Sequence, residues 1–110
     1  MKKSIDLFHL KNDEIKIDIV ARFEGDDLII DGYDIGPRVK EALGDSDYEY
    51  MMTIEPESVA RMYELLDVKP GDRKGLLKAL AGRFDGNKCF SEIGNFLDEN
   101  NVQYKRFTWT

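Results

Sequence analysis

The chain has one cysteine, one histidine and three prolines in 110 residues, and no apolar run of the length a bilayer requires. Each shortage excludes something. Cys89 has no partner for an internal disulfide, and with His9 also alone there is no nitrogen and sulfur set of the size a zinc site needs. The opening Met1-Lys2-Lys3-Ser4-Ile5-Asp6 carries two lysines, but Asp6 and His9 interrupt any apolar signal core. No stretch approaches the ~20 apolar residues of a membrane-spanning helix. These absences predict a cytoplasmic, reducing setting and no membrane partner. Glycines are present without the spacing of a phosphate cradle: no G-x-x-x-x-G-K-[ST] occurs, and no G-x-G-x-x-G follows a strand. No repeat or low-complexity tract divides the chain, so residues 1–110 read as a single α+β domain, long enough for one core.

Basic residues are also in short supply, 16 against 22 carboxylates, and the deficit is local. Asp13 to Glu57 holds fourteen carboxylates and four basic residues (Lys16, Arg22, Arg38, Lys40), a local balance of −10, while residues 1–12 and 58–110 contribute +2 each and restore the overall −6. A field of that sign repels phosphate backbones, which argues against direct nucleic-acid binding, and attracts a basic partner. Solvated turns and strand edges account for the same charges without any partner.

What is present is periodicity. Ile15, Ile17, Ile19, Ala21 and Phe23 alternate with mainly polar residues, the pattern of a half-buried strand. Glu24-Gly25-Asp26-Asp27 supplies a turn, and Leu28-Ile29-Ile30-Asp31 resumes as the second arm of an antiparallel hairpin. Ile5 to Leu10 is a further strand with imperfect alternation, and Lys11-Asn12-Asp13 is its turn. Asp34-Ile35-Gly36-Pro37 reads as a helix entry, with the carboxylate near the free N–H groups, and Gly44 as the stop. Tyr48, Tyr50, Met52 and Ile54 alternate as a strand with an aromatic face. Val59, Met62, Tyr63 and Leu66 fall at helical spacing in a helix opened by Glu55-Pro56-Glu57 and ended by Lys69-Pro70-Gly71. Asp72 caps a third helix with Leu76, Leu77, Leu80 and Phe84 on one stripe. A fourth, from about Lys88 to Glu99, buries Phe90, Ile93, Phe96 and Leu97 and stops at Asn100-Asn101. In the last segment Val102 and Tyr104 share one phase and Phe107 and Trp109 the other, which predicts a bulge at Lys105-Arg106 and a closing strand beside an early one. The order predicts an α+β fold: a mainly antiparallel sheet of four to five strands with three to four helices packed on one face.

No chemistry stands out. A calcium loop begun at Asp27 puts Ile29 and Arg38 where oxygen ligands belong. Asp45-Ser46-Asp47 is a bare D-x-D, the residue types that hold magnesium and also those of ordinary turns. Gly44-Asp45-Ser46-Asp47-Tyr48 starts like a nucleophile elbow but lacks the closing glycine. His9 reads as an edge-strand residue, and Cys89 as a small, partly buried one. The expected catalytic set, metal and cofactor are therefore none. Tyr48, Tyr50, Phe107 and Trp109 suit sheet-to-helix packing, or an interface centre.

Leu28-Ile29-Ile30-Asp31-Gly32-Tyr33-Asp34-Ile35-Gly36, Gly44-Asp45-Ser46-Asp47-Tyr48-Glu49-Tyr50 and the FLxExxIxY-like close Phe96 to Tyr104 resemble segments of small stand-alone bacterial proteins of unknown function. That resemblance implies no activity and carries over no catalytic residue. In charge and general style the chain also resembles small acidic immunity proteins, which neutralise toxins by binding them. The expectation is a non-enzymatic protein-binding module whose acidic surface comprises Asp31, Asp34, Asp45, Asp47 and Glu49, with another, basic protein as partner. The alternatives are a small enzyme or enzyme subunit using the same loop carboxylates with a divalent metal, and a homo-oligomer formed by sheet-edge pairing.

Overall fold

The computed structural model describes residues 4–44 and 47–109. Among these the chain forms β1 (Ser4–Lys11), β2 (Lys16–Glu24), β3 (Asp27–Ile35), α1 (Pro37–Leu43), β4 (Asp47–Ile54), α2 (Pro56–Leu65), α3 (Arg73–Arg83), α4 (Cys89–Glu99) and β5 (Lys105–Trp109). The strands make one antiparallel sheet in the order β1-β2-β3-β4-β5. The expected α+β class is observed.

Alternation decides which residues enter the core. Because successive strand residues point to opposite faces, Ile17, Ile19, Ala21 and Phe23 of β2 lie on the same side as Leu28 and Ile30 of β3 and Met52 and Ile54 of β4. All are buried, and they pack with Met62, Leu76, Leu80, Ile93 and Leu97 of α2, α3 and α4. Among the described residues, none of α2, α3 and α4 contributes to the other sheet face, which mixes polar residues with Val20, Ile29, Met51 and Phe107.

Four local readings are corrected. First, β3 runs on to Ile35, so Asp34 is a strand residue rather than part of a helix entry; α1 is preceded by Gly36, with no side-chain cap. Gly36 has φ 129°, and a Cβ there would lie 2.6 Å from the Glu14 carbonyl, so backbone proximity excludes other residues. Second, α2 ends at Leu65, well before Lys69-Pro70-Gly71. Asp67 takes a left-handed conformation (φ 56°), its N–H donating to Glu64 O (3.2 Å) and that of Val68 to Tyr63 O (2.8 Å). This is the paired closure that usually recruits glycine. Third, β5 begins only at Lys105 and pairs in continuous register with β4, so no bulge is needed. Val102 and Tyr104 precede it: Val102 follows left-handed Asn101 and closes α4 through Leu97 O (2.9 Å). Fourth, β5 lies beside β4, at the opposite edge from β1. A bulge does occur in β1, between Asp6 and Phe8, and it accounts for the imperfect alternation there. The extra residue, Leu7, is buried.

The remaining joints match their sequence signals. Asn12 Oδ1 accepts from the N–H groups of Glu14 (2.8 Å) and Ile15 (3.0 Å) in the first turn. Asp72 Oδ1 caps α3 by accepting from Gly75 N (3.0 Å). Arg73, at the start of α3, reaches back to the β2–β3 turn. It donates to Gly25 O (2.8 Å) and Asp26 Oδ1 (2.6 Å) and lies 4.7 Å over the Phe23 ring.

Asp67 pays a steric cost in its left-handed conformation that glycine does not. Asp67→Gly is expected to raise stability in urea denaturation by about 0.5–1 kcal/mol; a fall would contradict this assignment of the α2 terminus.

Candidate functional site

The five carboxylates expected to form one acidic surface do not lie together. Asp45 falls outside the described residues. Asp31, Asp47 and Glu49 share the uncovered face of the sheet, whereas Asp34 is on the helix-covered face, between Ile17 of β2 and Tyr48 of β4.

On the uncovered face the register sets residues in rows across the strands. One row runs His9, Asp18, Tyr33, Glu49; the next runs Asp6, Val20, Asp31, Met51, Phe107; the third runs Ser4, Arg22, Ile29, Thr53, Lys105. Asp31 is engaged within the protein, accepting from Arg22 Nε at 2.6 Å, and Arg22 Nη1 also meets Glu24 Oε2 at 2.9 Å. Asp18 is held by His9 Nδ1, with Lys16 Nζ 3.7 Å away. The Tyr33 hydroxyl hydrogen-bonds Asp47, and its pKa is raised by partial desolvation and by the charges of Asp47 and Glu49. Between these rows lies a shallow depression of about 390 Å³, with Val20 and Met51 among its lining and Asp18, Asp31 and Glu49 as its acids. Phe107, in the same row as Met51, is 47% exposed, the only large hydrophobic side chain that open among the described residues.

The helix-covered face holds the second constellation. Gly32 sits between Ile19 and Tyr50 in the register, and a Cβ there would lie 1.7 Å from Tyr50 Cε2. The missing side chain lets the Tyr50 ring lie across β3, where its hydroxyl donates to Asp34 Oδ1 at 2.8 Å. The ring also packs edge-on against Phe90 of α4 (centroids 4.8 Å apart) and tilts against Tyr48 (5.3 Å). Burial raises the Asp34 pKa above its ordinary 3.8, opposed by the Tyr50 hydrogen bond. Burial and the neighbouring carboxylate push the Tyr50 phenol strongly upward, so it serves as a hydrogen-bond donor. A cleft of about 190 Å³ opens here, with Tyr48, Lys88, Ser91 and Arg106 around the pair.

Other candidates fall away on their surroundings. Cys89 is fully buried and its thiol is pushed up to about 11 by desolvation, the opposite of an activated nucleophile. Among the described residues no group of three or more His, Cys, Asp or Glu converges as a metal site. No described helix is long and apolar enough to cross a membrane. A larger, open groove of about 1080 Å³ lies between the start of α2 and residues 101–106. Several of its polar walls are engaged with one another: Lys105 Nζ with Glu55 Oε1 at 3.5 Å, and the Tyr104 hydroxyl with Asp98 Oδ2 at 3.1 Å.

Compared with family models, curated proteins and solved structures, the chain has no match in any of the three. The reading of its function therefore rests on its own residues. Of these, sequence inspection passed over Val20, Tyr33 and Met51 on one face and Lys88, Ser91 and Arg106 on the other. Strand parity could have placed the first three; the last three come to share a cleft with Asp34 only through long-range packing.

Two substitutions test this geometry. Gly32→Ala drives a methyl into the Tyr50 ring and is expected to cost about 1–3 kcal/mol, measured by thermal or urea unfolding. Tyr50→Phe removes the donor that favours ionised Asp34. The folded pKa of Asp34 is already above its ordinary value, so ionisation is penalised in the folded state above that folded pKa, and the penalty vanishes as pH falls towards 3.8. The Tyr50→Phe cost is accordingly expected to be about 1 kcal/mol at pH 7 and to shrink as pH falls through the Asp34 titration. In an Asp34→Asn background that pH dependence should disappear; its persistence would assign it to another group.

Proposed function

We propose that this chain is a protein-binding module that engages a basic partner through the uncovered face of its sheet. The observation that carries this reading is the depression lined by Val20 and Met51, with Asp18, Asp31 and Glu49 around it and exposed Phe107 in the adjoining strand. An apolar centre with a charged margin is the anatomy of a specific interface, where apolar contact provides affinity and charge provides steering and partner choice. The local balance of −10 from Asp13 to Glu57 supports a basic partner, although Lys16, Arg22 and Lys105 share this face and pair part of its acids. Within the expected acidic set, Asp31, Asp47 and Glu49 belong to this face, and Asp34 drops out of it. An immunity-type inhibitor, an acidic protein that neutralises a basic one by covering it, is the form of module that this charge and size suit.

The test is affinity capture from the native host with the wild-type chain and with an Asp18→Ala/Glu49→Ala/Phe107→Ser variant. The captured protein is then purified and titrated against both. The expected partner is basic, is lost from the variant, and binds the wild type about tenfold or more weakly when salt rises from about 50 to about 300 mM. Equal binding to both chains, or salt-independent binding, overturns the assignment of this face.

A further inference from the structure

The cleft on the helix-covered face has a charge arrangement that the protein-binding reading does not use. Asp34 enters it from β3, and its one side-chain hydrogen bond among the described residues is the one from Tyr50 to Oδ1. Oδ2 has no protein donor there, and no cation of the described residues lies within ion-pair distance of Asp34. Yet two cations line the same cleft: Lys88, just ahead of α4, and Arg106 from β5. Neither forms an ion pair with a carboxylate among the described residues, although Arg106 stacks 5.3 Å from the Phe90 ring centroid, bonds the Tyr104 hydroxyl and also borders the groove beside α2. A half-buried carboxylate and two cations that share a cleft without neutralising one another leave both signs of charge available to a third body.

The aromatic and hydroxyl groups narrow its chemistry. Tyr48 and Tyr50 present ring surface beside Asp34, which suits an ammonium group. Ser91 adds a hydroxyl on the α4 side. The volume, about 190 Å³, corresponds to about six waters and suits a small molecule. An inorganic anion would satisfy Lys88 and Arg106 and be repelled by Asp34; a simple amine would do the reverse.

We propose that this cleft binds a small zwitterion of the α-amino acid class, with its ammonium at Asp34 and its carboxylate between Lys88 and Arg106. Arg106 offers the planar fork suited to a carboxylate, Lys88 a point charge at the mouth, and Tyr50 keeps Asp34 pointed into the cleft. Asp34, Lys88 and Arg106 are distinct from Asp18, Asp31 and Glu49 of the depression assigned to a protein partner, although Tyr50 lines both, so substitutions at those charges separate the two functions.

The test is a thermal-shift panel of the standard amino acids at about 20 mM, with acetate, methylamine and inorganic phosphate as single-charge controls. The best amino acid is then titrated while backbone amide resonances are followed. At least one amino acid is expected to raise Tm by about 2 °C or more and to shift Tyr48, Tyr50 and Ser91 saturably. The controls should bind at least about tenfold more weakly, because each meets only one half of the site. Asp34→Asn and Arg106→Gln, whose folding is checked by the same spectra, should each weaken binding about tenfold. No Tm response to any amino acid, phosphate or acetate binding as tightly as the amino acid, or binding unchanged in Asp34→Asn, overturns the proposal. Loss of protein capture without loss of amino-acid binding would bear on the uncovered face alone.

Discussion

Everything in this protein follows from a sheet that is covered on one side only. With α2, α3 and α4 packed against a single face, the parity of a strand residue determines whether it joins the main core, although Ile29 is buried on the opposite face as well. Asp31 and Asp34 are three positions apart and so end on opposite faces, one ion-paired to Arg22 in the open and the other half-buried beside Tyr50. The notch at Gly32 is what makes the second placement tolerable. Without a side chain there, the Tyr50 ring crosses β3 and its hydroxyl meets a carboxylate that would otherwise be desolvated without a donor. The same ring touches Phe90, so the position of α4 and the environment of Asp34 are set together.

The crowding of carboxylates in the first half has several local causes rather than one. Asp26 fastens the β2–β3 turn to Arg73, Asp31 and Glu24 hold Arg22, and Asp18 holds His9 and Lys16. These pairs are exposed enough that each adds little to stability. Their common effect is to fix orientation: the acids along one face stand in rows at strand spacing, and of the apolar residues among them Val20, Met51 and Phe107 keep some exposure while Ile29 is buried.

Much of the architecture was legible because it rests on periodicity. Five alternating residues in β2 and the leucine stripe of α3 announce the faces they bury, and Asp72 and Asn12 act where their side chains suit caps and turns. The missed boundaries share a cause. At Asp34 a residue typical of helix entries was overridden by strand pairing, which carried β3 past it, whereas at Asp67 the closure is local: a left-handed aspartate ends α2 where glycine would have been expected. The sites were less legible still. Strand pairing brings Val20, Asp31 and Met51 into one row, and helix packing carries Lys88 from far along the chain towards Asp34, so neither grouping leaves a mark in local spacing.

The placement of β5 has a consequence for how the chain is made. Strands β1 to β4 follow one another with only turns and the short α1 between them, so their pairing needs nothing distant in sequence. The partner of β4 on its other side arrives only after residues 55–104, the whole helical layer, have been added. On the ribosome β4 is therefore a bare hydrogen-bonding edge while α2, α3 and α4 emerge, and the sheet is completed last, by a strand of five residues. The interval before β5 docks is the one in which a nascent chain exposes Met51 beside an open backbone edge, and it is where pairing between neighbouring nascent copies would compete with folding.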